Sequence, residues 1–155
     1  MYDIETLHEA TSVDDAVKVL AADPQAIVIA GGTDVLVDIR SGKKAGAHLV
    51  SIHGLSDELD GVSLAEDGTV EGEIGPLTWF HQVTTRPIVQ KTGPTLGEAC
   101  DTPGGPQLRV SGTIGGNVCT AATSGDAAST LLAYGALLDV LSVRGKRTIP
   151  IEDWY

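Results

Sequence analysis

The groups in this chain best suited to chemistry are backbone amides beside glycine, not acids, bases or nucleophiles. Gly31-Gly32 lies between an apolar run and a helix start, in Ala30-Gly31-Gly32-Thr33-Asp34. A strand-to-helix turn of this kind aims free N–H groups and the positive end of a helix dipole at one spot, which suits a phosphate. Glycine also lets another group approach the backbone, because no Cβ intervenes. The same dipeptide is equally an ordinary turn, and it is neither GxGxxG nor GxxxxGK[ST]. Asp34 would repel a phosphate aimed at it, so it is expected to cap local amides or to turn away. A second pair, Gly115-Gly116, lies in Thr113-Ile114-Gly115-Gly116-Asn117, with Gly104-Gly105-Pro106 and Gly112 before it and Ser124-Gly125-Asp126 after it. Such a stretch is either a mobile surface loop or a second source of amides and hydroxyls. The apolar Ile114 and Val118 argue for anchorage. Two turns of this type suit a ligand with a diphosphate, such as a dinucleotide, which neutral amides can bind without lysine.

No side-chain constellation competes with them. His8, His48, His53 and His81 are scattered without a carboxylate or second ligand at telling spacing, and no G-x-S-x-G elbow occurs. Cys100 and Cys119 cannot supply four ligands to a zinc or iron–sulfur site, and are expected to be reduced thiols. No catalytic residue and no metal site is expected. Any hard chemistry would belong to a bound cofactor.

The 155 residues carry 10 basic and 21 acidic side chains, a net charge of −11. That balance argues against a nucleic-acid or anionic-membrane binder. With 42% hydrophobic and 20% charged residues the chain is globular, and its length is that of one domain. Glycine is in surplus: 19 residues, about 12%, against a background of roughly 7%. No basic-then-apolar leader opens the chain and no apolar run approaches 18 residues, so a cytoplasmic protein without a membrane span is expected.

The elements that position the glycines follow from pattern. Ser12 is a helix N-cap ahead of Ala16, Val17 and Leu20, Pro24 breaks the chain, and 26–30 is a buried strand. Val35, Leu36, Val37 and Ile39 make a short helix ending near Gly42, and 48–52 is the next strand. This is a small βαβ unit with a parallel pair. Beyond it, 62–65 and 69–74 read as a hairpin around Asp67-Gly68, Thr78 as the cap of a helix through Val83, and 94–100 as another helix. A helix over 127–134 ends at Gly135, and 136–143 with 146–149 form a second hairpin. The fold class is therefore mixed α/β and α+β. A small βαβ lobe (1–55) is followed by an antiparallel-sheet lobe with helices (56–155).

Together, 30–34 and, about 80 positions later, Pro106-Gln107-Leu108-Arg109 leading into Thr113-Ile114-Gly115-Gly116-Asn117 resemble the FAD-binding (medium) subunit of molybdenum hydroxylases. This is the xanthine dehydrogenase and carbon monoxide dehydrogenase family, and the likeness covers essentially the whole chain. The resemblance implies a two-lobed FAD-binding domain of the vanillyl-alcohol-oxidase type. Ile29, Ala30, Gly31, Gly32, Thr33 and Asp34 would lie at the pyrophosphate, Thr113, Ile114, Gly115, Gly116 and Asn117 would form a second set of contacts, and Asp126 would approach the ribityl or ribose hydroxyls. It also implies an oxidoreductase subunit that takes electrons from a small [2Fe–2S] subunit and passes them through FAD to NAD or another acceptor. Hydroxylation would take place on a separate large molybdenum-cofactor subunit. Family members run longer, so the chain reads as truncated, without the family's C-terminal domain. The alternative reading is an assembly module of such a complex without functional flavin.

Overall fold

The computed structural model describes residues 2–64, 72–122 and 125–155. The first 51 residues build a parallel sheet from β1 (Ile4–Glu9), β2 (Ala26–Ile29) and β3 (Ala47–Ser51), in the order β1-β3-β2. Helix α1 (Val13–Ala22) joins the first two strands and α2 (Val35–Arg40) the last two. Ser12 begins α1 as expected, its Oγ accepting from the Asp15 amide at 3.1 Å. The period of two in β2 divides its side chains between two cores. Ala26, with Ala30 just beyond the strand, packs with Val13, Val19, Leu20 and Val50, while Ile27 and Ile29 pack with Val35, Leu36, Ile39 and Leu49. The expected strand–helix–strand unit is therefore present, with one strand added at its edge.

The second part is mostly helix. A 3₁₀ turn at His53–Leu55 leads into α3 (Ser56–Leu59), then β4 (Val62–Ser63) pairs antiparallel with β5 (Glu73–Ile74). The expected Asp67-Gly68 turn between them lies outside the described residues. Next come α4 (Phe80–Thr85), α5 (Pro87–Thr92), α6 (Pro94–Asp101), α7 (Pro106–Arg109), α8 (Ile114–Thr120) and α9 (Ala128–Ala133). The second hairpin, β6 (Leu137–Ser142) and β7 (Gly145–Pro150), follows, and a 3₁₀ turn at Ile151–Asp153 closes the chain's described fold.

Among the described residues the antiparallel part of the fold consists of two separate two-stranded sheets, β4-β5 and β6-β7. The chain between them is cut into short helices, three of which start at Pro87, Pro94 and Pro106, where a fixed φ favours a first turn. Thr78 does not cap the expected helix. Its side chain is fully buried and exchanges hydrogen bonds with the Gly61 amide and carbonyl, both at 3.0 Å, so α4 begins one residue later, after Trp79. Phe80, Val83, Val89, Leu96, Cys100, Ile114 and Ala127 form the core of this part. Leu77 packs instead with Val50 of the first part and with Leu55 of the turn that follows it. No helix among the described residues is long and apolar enough to cross a membrane.

Candidate functional site

The two Gly-Gly segments meet. A Cβ on Gly31 would lie 1.7 Å from the Ser111 carbonyl oxygen, so the loop after β2 touches the backbone that leads into α8. Further along, Thr120 Oγ1 at the end of α8 lies 3.3 Å from Asp34 Oδ2. Asn117 Oδ1 accepts from the Ala127 amide at 3.2 Å, which fixes the turn carrying the exposed Asp126 to the same helix. The sequence-predicted residues 29–34, 113–117 and 126 are thus gathered around α8.

Their amides are used differently. Among the described residues, no backbone or side-chain acceptor takes the amide hydrogens of Gly31, Gly32, Thr33 or Asp34. Gly32 adopts φ +73°, the kind of left-handed residue from which anion-binding backbone nests are made. Asp34 occupies the N-cap position of α2 but makes no side-chain cap bond. Four partnerless donors in a half-buried loop fit a diphosphate.

Residues 114–117 differ from that expectation. Ile114 N donates to Thr78 O and Gly115 N to Pro76 O, both at 3.0 Å, Gly116 N to Thr113 Oγ1 at 3.1 Å, and Asn117 N to Thr113 O at 3.0 Å. All four amides are engaged within the protein. The space beside Gly116 is taken by the same cap, since a Cβ there would meet Thr113 Oγ1 at 2.9 Å. The segment is not a mobile loop: Ile114 and Val118 are buried, and Thr113, itself buried, caps the helix.

Neighbouring groups hold this arrangement. Arg109 Nε lies 3.3 Å from Asp101 Oδ1, and its Nη1 donates to Gly104 O at 2.9 Å, closing the chain that runs from α6 into α7. Cys100 is fully buried, its thiol pushed up to about 12 by burial, with the Asp126 charge adding to the shift. It packs and does not ionise. The structure brings His48, read as isolated in sequence, to two carboxylates: Nδ1 is 2.7 Å from Asp23 Oδ2 and Nε2 is 3.5 Å from Glu5 Oε2. Thr120 was not predicted. Its spacing, seven residues after Thr113 and four after Gly116, places it near one face of α8, but that signal needs the helix to be known first.

The chain matches the FAD-binding domain of molybdopterin dehydrogenases over residues 2–155. It belongs to that family. The resemblance read from the two Gly-Gly segments holds, and the cofactor of the domain is FAD. Over its full length the chain is 43% identical to a putative xanthine dehydrogenase FAD-binding subunit of Escherichia coli K12, covering 52% of that protein. It is 32% identical over 97% of its length to the FAD-subunit of nicotinate dehydrogenase from Eubacterium barkeri, covering 48% of it. A solved carbon monoxide dehydrogenase from Hydrogenophaga pseudoflava superimposes with a TM-score of 0.90 at 29% identity, over 98% of this chain and 52% of that one. The chain spans about half the length of the curated relatives it matches.

Proposed function

We propose that this FAD-binding domain serves an electron-transfer subunit of a xanthine-dehydrogenase-like molybdenum hydroxylase. In this reading, electrons reach it from a small [2Fe–2S] subunit and leave for NAD or another acceptor, while a large molybdenum-cofactor subunit hydroxylates the substrate. The single observation that carries the reading is the set of four amides at residues 31–34 that have no partner among the described residues, set against α8 in a domain of this family. The name of the Escherichia coli relative supports the xanthine-dehydrogenase assignment over the other family activities.

Bound FAD supplies the ability to accept and release electrons, and the chain's own residues hold it. The amides of Gly31, Gly32, Thr33 and Asp34 would donate to the diphosphate, where a helix start and neutral dipoles favour negative charge without a counter-cation. Thr113 Oγ1 keeps the first turn of α8 closed, and Asn117 holds the turn from which Asp126 would reach the ribose or ribityl hydroxyls. Residues 1–55 and 56–155 would be the two lobes that face the cofactor.

Titration of the purified protein with FAD, FMN and ADP, followed by flavin fluorescence and competition, tests the reading. FAD should saturate near one equivalent, and FMN, which lacks the diphosphate and the adenosine, should bind more weakly. Failure to take up FAD would overturn it. So would ADP binding as tightly as FAD, which marks a generic nucleotide site, or co-purification with partner subunits without flavin, which marks an assembly module.

A further inference from the structure

The contact that joins the two Gly-Gly segments is made by one peptide unit, whose Ser111 carbonyl oxygen would lie 1.7 Å from a Cβ on Gly31. A peptide unit is planar, so its N–H and C=O turn together. Here the N–H, that of Gly112, donates to Leu108 O at 2.7 Å. Ser111 N donates to the same oxygen at 3.0 Å, and Ser111 Oγ to Gln107 O at 3.0 Å. Gln107 and Leu108 belong to α7, so α7 sets the direction in which the carbonyl meets Gly31. Yet α7 has four residues and none of them is buried, so neither its length nor its packing fixes it. Its last residue does. The Arg109 side chain is only 19% exposed, and its Nε lies 3.3 Å from Asp101 Oδ1 of α6. Its Nη1 donates to Gly104 O at 2.9 Å and to Pro103 O at 3.4 Å. Helix α6 is anchored in turn by the buried Leu96, Gly97 and Cys100. A planar guanidinium holds a carboxylate and carbonyls at fixed angles, which the point charge of a lysine on its flexible stem does not.

We propose that Arg109 is a positioning residue of the cofactor site: it braces α7 against α6 and so keeps the Ser111 carbonyl seated on Gly31, the contact that sets the spacing of the two Gly-Gly segments for FAD. The proposal rests on the FAD reading above. Arg109 acts through α7, the Ser111 peptide and Gly31, and needs no contact with the cofactor itself. Without the brace α7 can shift, the carbonyl leaves Gly31, and the segments are no longer preorganised for the ligand.

The test combines FAD dissociation constants with amide NMR spectra of the flavin-free protein, both at a temperature where circular dichroism shows parent and variant fully folded. Arg109→Gln should weaken FAD binding about fivefold, the scale of one lost preorganising contact. In the flavin-free protein it should shift or broaden the Gly31 and Gly32 amide resonances and leave those of β6 and β7 in place. Arg109→Lys, which keeps the charge but not the fork, should bind FAD more weakly than the parent and more tightly than Arg109→Gln. A residue that serves stability alone would lower the melting midpoint and move neither readout in the folded protein. Equal FAD affinity for the parent and Arg109→Gln overturns the proposal. So do unmoved Gly31 and Gly32 resonances, since any loss of affinity would then reach FAD by another route. If the parent itself takes up no FAD, the FAD reading falls and the proposal with it. Should Arg109→Gln fail to fold, Asp101→Asn, at a side chain 59% exposed, breaks the same brace from the side of α6 and is read in the same way.

Discussion

The two Gly-Gly segments share a dipeptide and little else. At residues 31–34 the amides have no partner among the described residues. At residues 114–117 all four are bonded to Pro76, Thr78 and Thr113. The close approach that glycine permits also differs in kind. Gly115 admits Pro76, whose Cβ and carbonyl oxygen lie 2.5 and 2.7 Å from where a side chain would begin, and Gly31 admits the backbone of Ser111. A Gly-Gly pair therefore does not by itself say whether a ligand or the protein fills the space beside it. The hydrogen-bond partners of its amides do.

The largest effects should come from filling that space. Gly31→Ala places a methyl 1.7 Å from the Ser111 carbonyl oxygen and forces the two segments apart. It should cost about 3 kcal/mol or more in thermal or denaturant unfolding, and the protein that remains folded should bind FAD poorly. Gly115→Ala meets Pro76 at 2.5 Å, partly offset by the better helix propensity of alanine, and should cost about 2 kcal/mol. Its folded fraction should keep FAD affinity, because that segment's amides serve the protein. If both variants lose FAD affinity in proportion to stability, the distinction between the segments fails.

This contrast explains what the sequence could and could not tell. The run 26–30, bounded by Pro24 and Gly31, and the Ser12 cap were enough for β2, α1 and the strand–helix–strand unit. The strand β1 left no such mark, because in Ile-Glu-Thr-Leu-His-Glu only His8 is even half-buried and no burial period shows. Helix α8 was hidden by its own composition. Gly115, Gly116 and Asn117 fill three of its seven positions, each glycine about 1 kcal/mol worse than alanine for a helix. Tertiary bonds from Pro76 and Thr78 override that preference, and no local pattern encodes them. The two segments could be singled out in the sequence, but which of them keeps its amides for itself could not, since that depends on partners as distant in the chain as Pro76 and Thr78.

A smaller effect isolates the cap of the second segment. Thr113→Val keeps the buried volume and removes the oxygen that accepts from Gly116 N. The loss should be about 1 kcal/mol in an unfolding titration. Gly116 N, left without its acceptor, becomes a new partnerless amide in the second segment. If FAD affinity then rises, an amide in this segment also serves the ligand, and the contrast with residues 31–34 narrows.

The weakest effect lies in the pH dependence of the first segment alone. His48 of β3 is tied to Asp23, just before Pro24 and β2, and more loosely to Glu5 of β1, so the strand that delivers Gly31 is held in part by a titrating group. The Asp23 hydrogen bond raises the imidazole above its ordinary value of 6.5, against a smaller opposing effect of burial and with Glu5 adding to the rise. Asp23 in turn is held below its ordinary 3.8, chiefly by His48 and then by the Gln25 amide. A raised histidine stabilises the fold fully below 6.5 and loses that contribution as pH climbs through its folded value. A lowered aspartate stabilises above 3.8 and loses its contribution as pH falls through its folded value. The tie is therefore strongest between those limits. The melting midpoint of His48→Gln should fall furthest below that of the parent near about pH 5.5, and the gap should close toward about pH 8. The bonds of residues 114–117 involve only amides, carbonyls and a hydroxyl, none of which titrates in that range. A gap that stays constant with pH would mean that shape and not charge holds β2 at His48, and the two segments would then be alike in resting on neutral contacts.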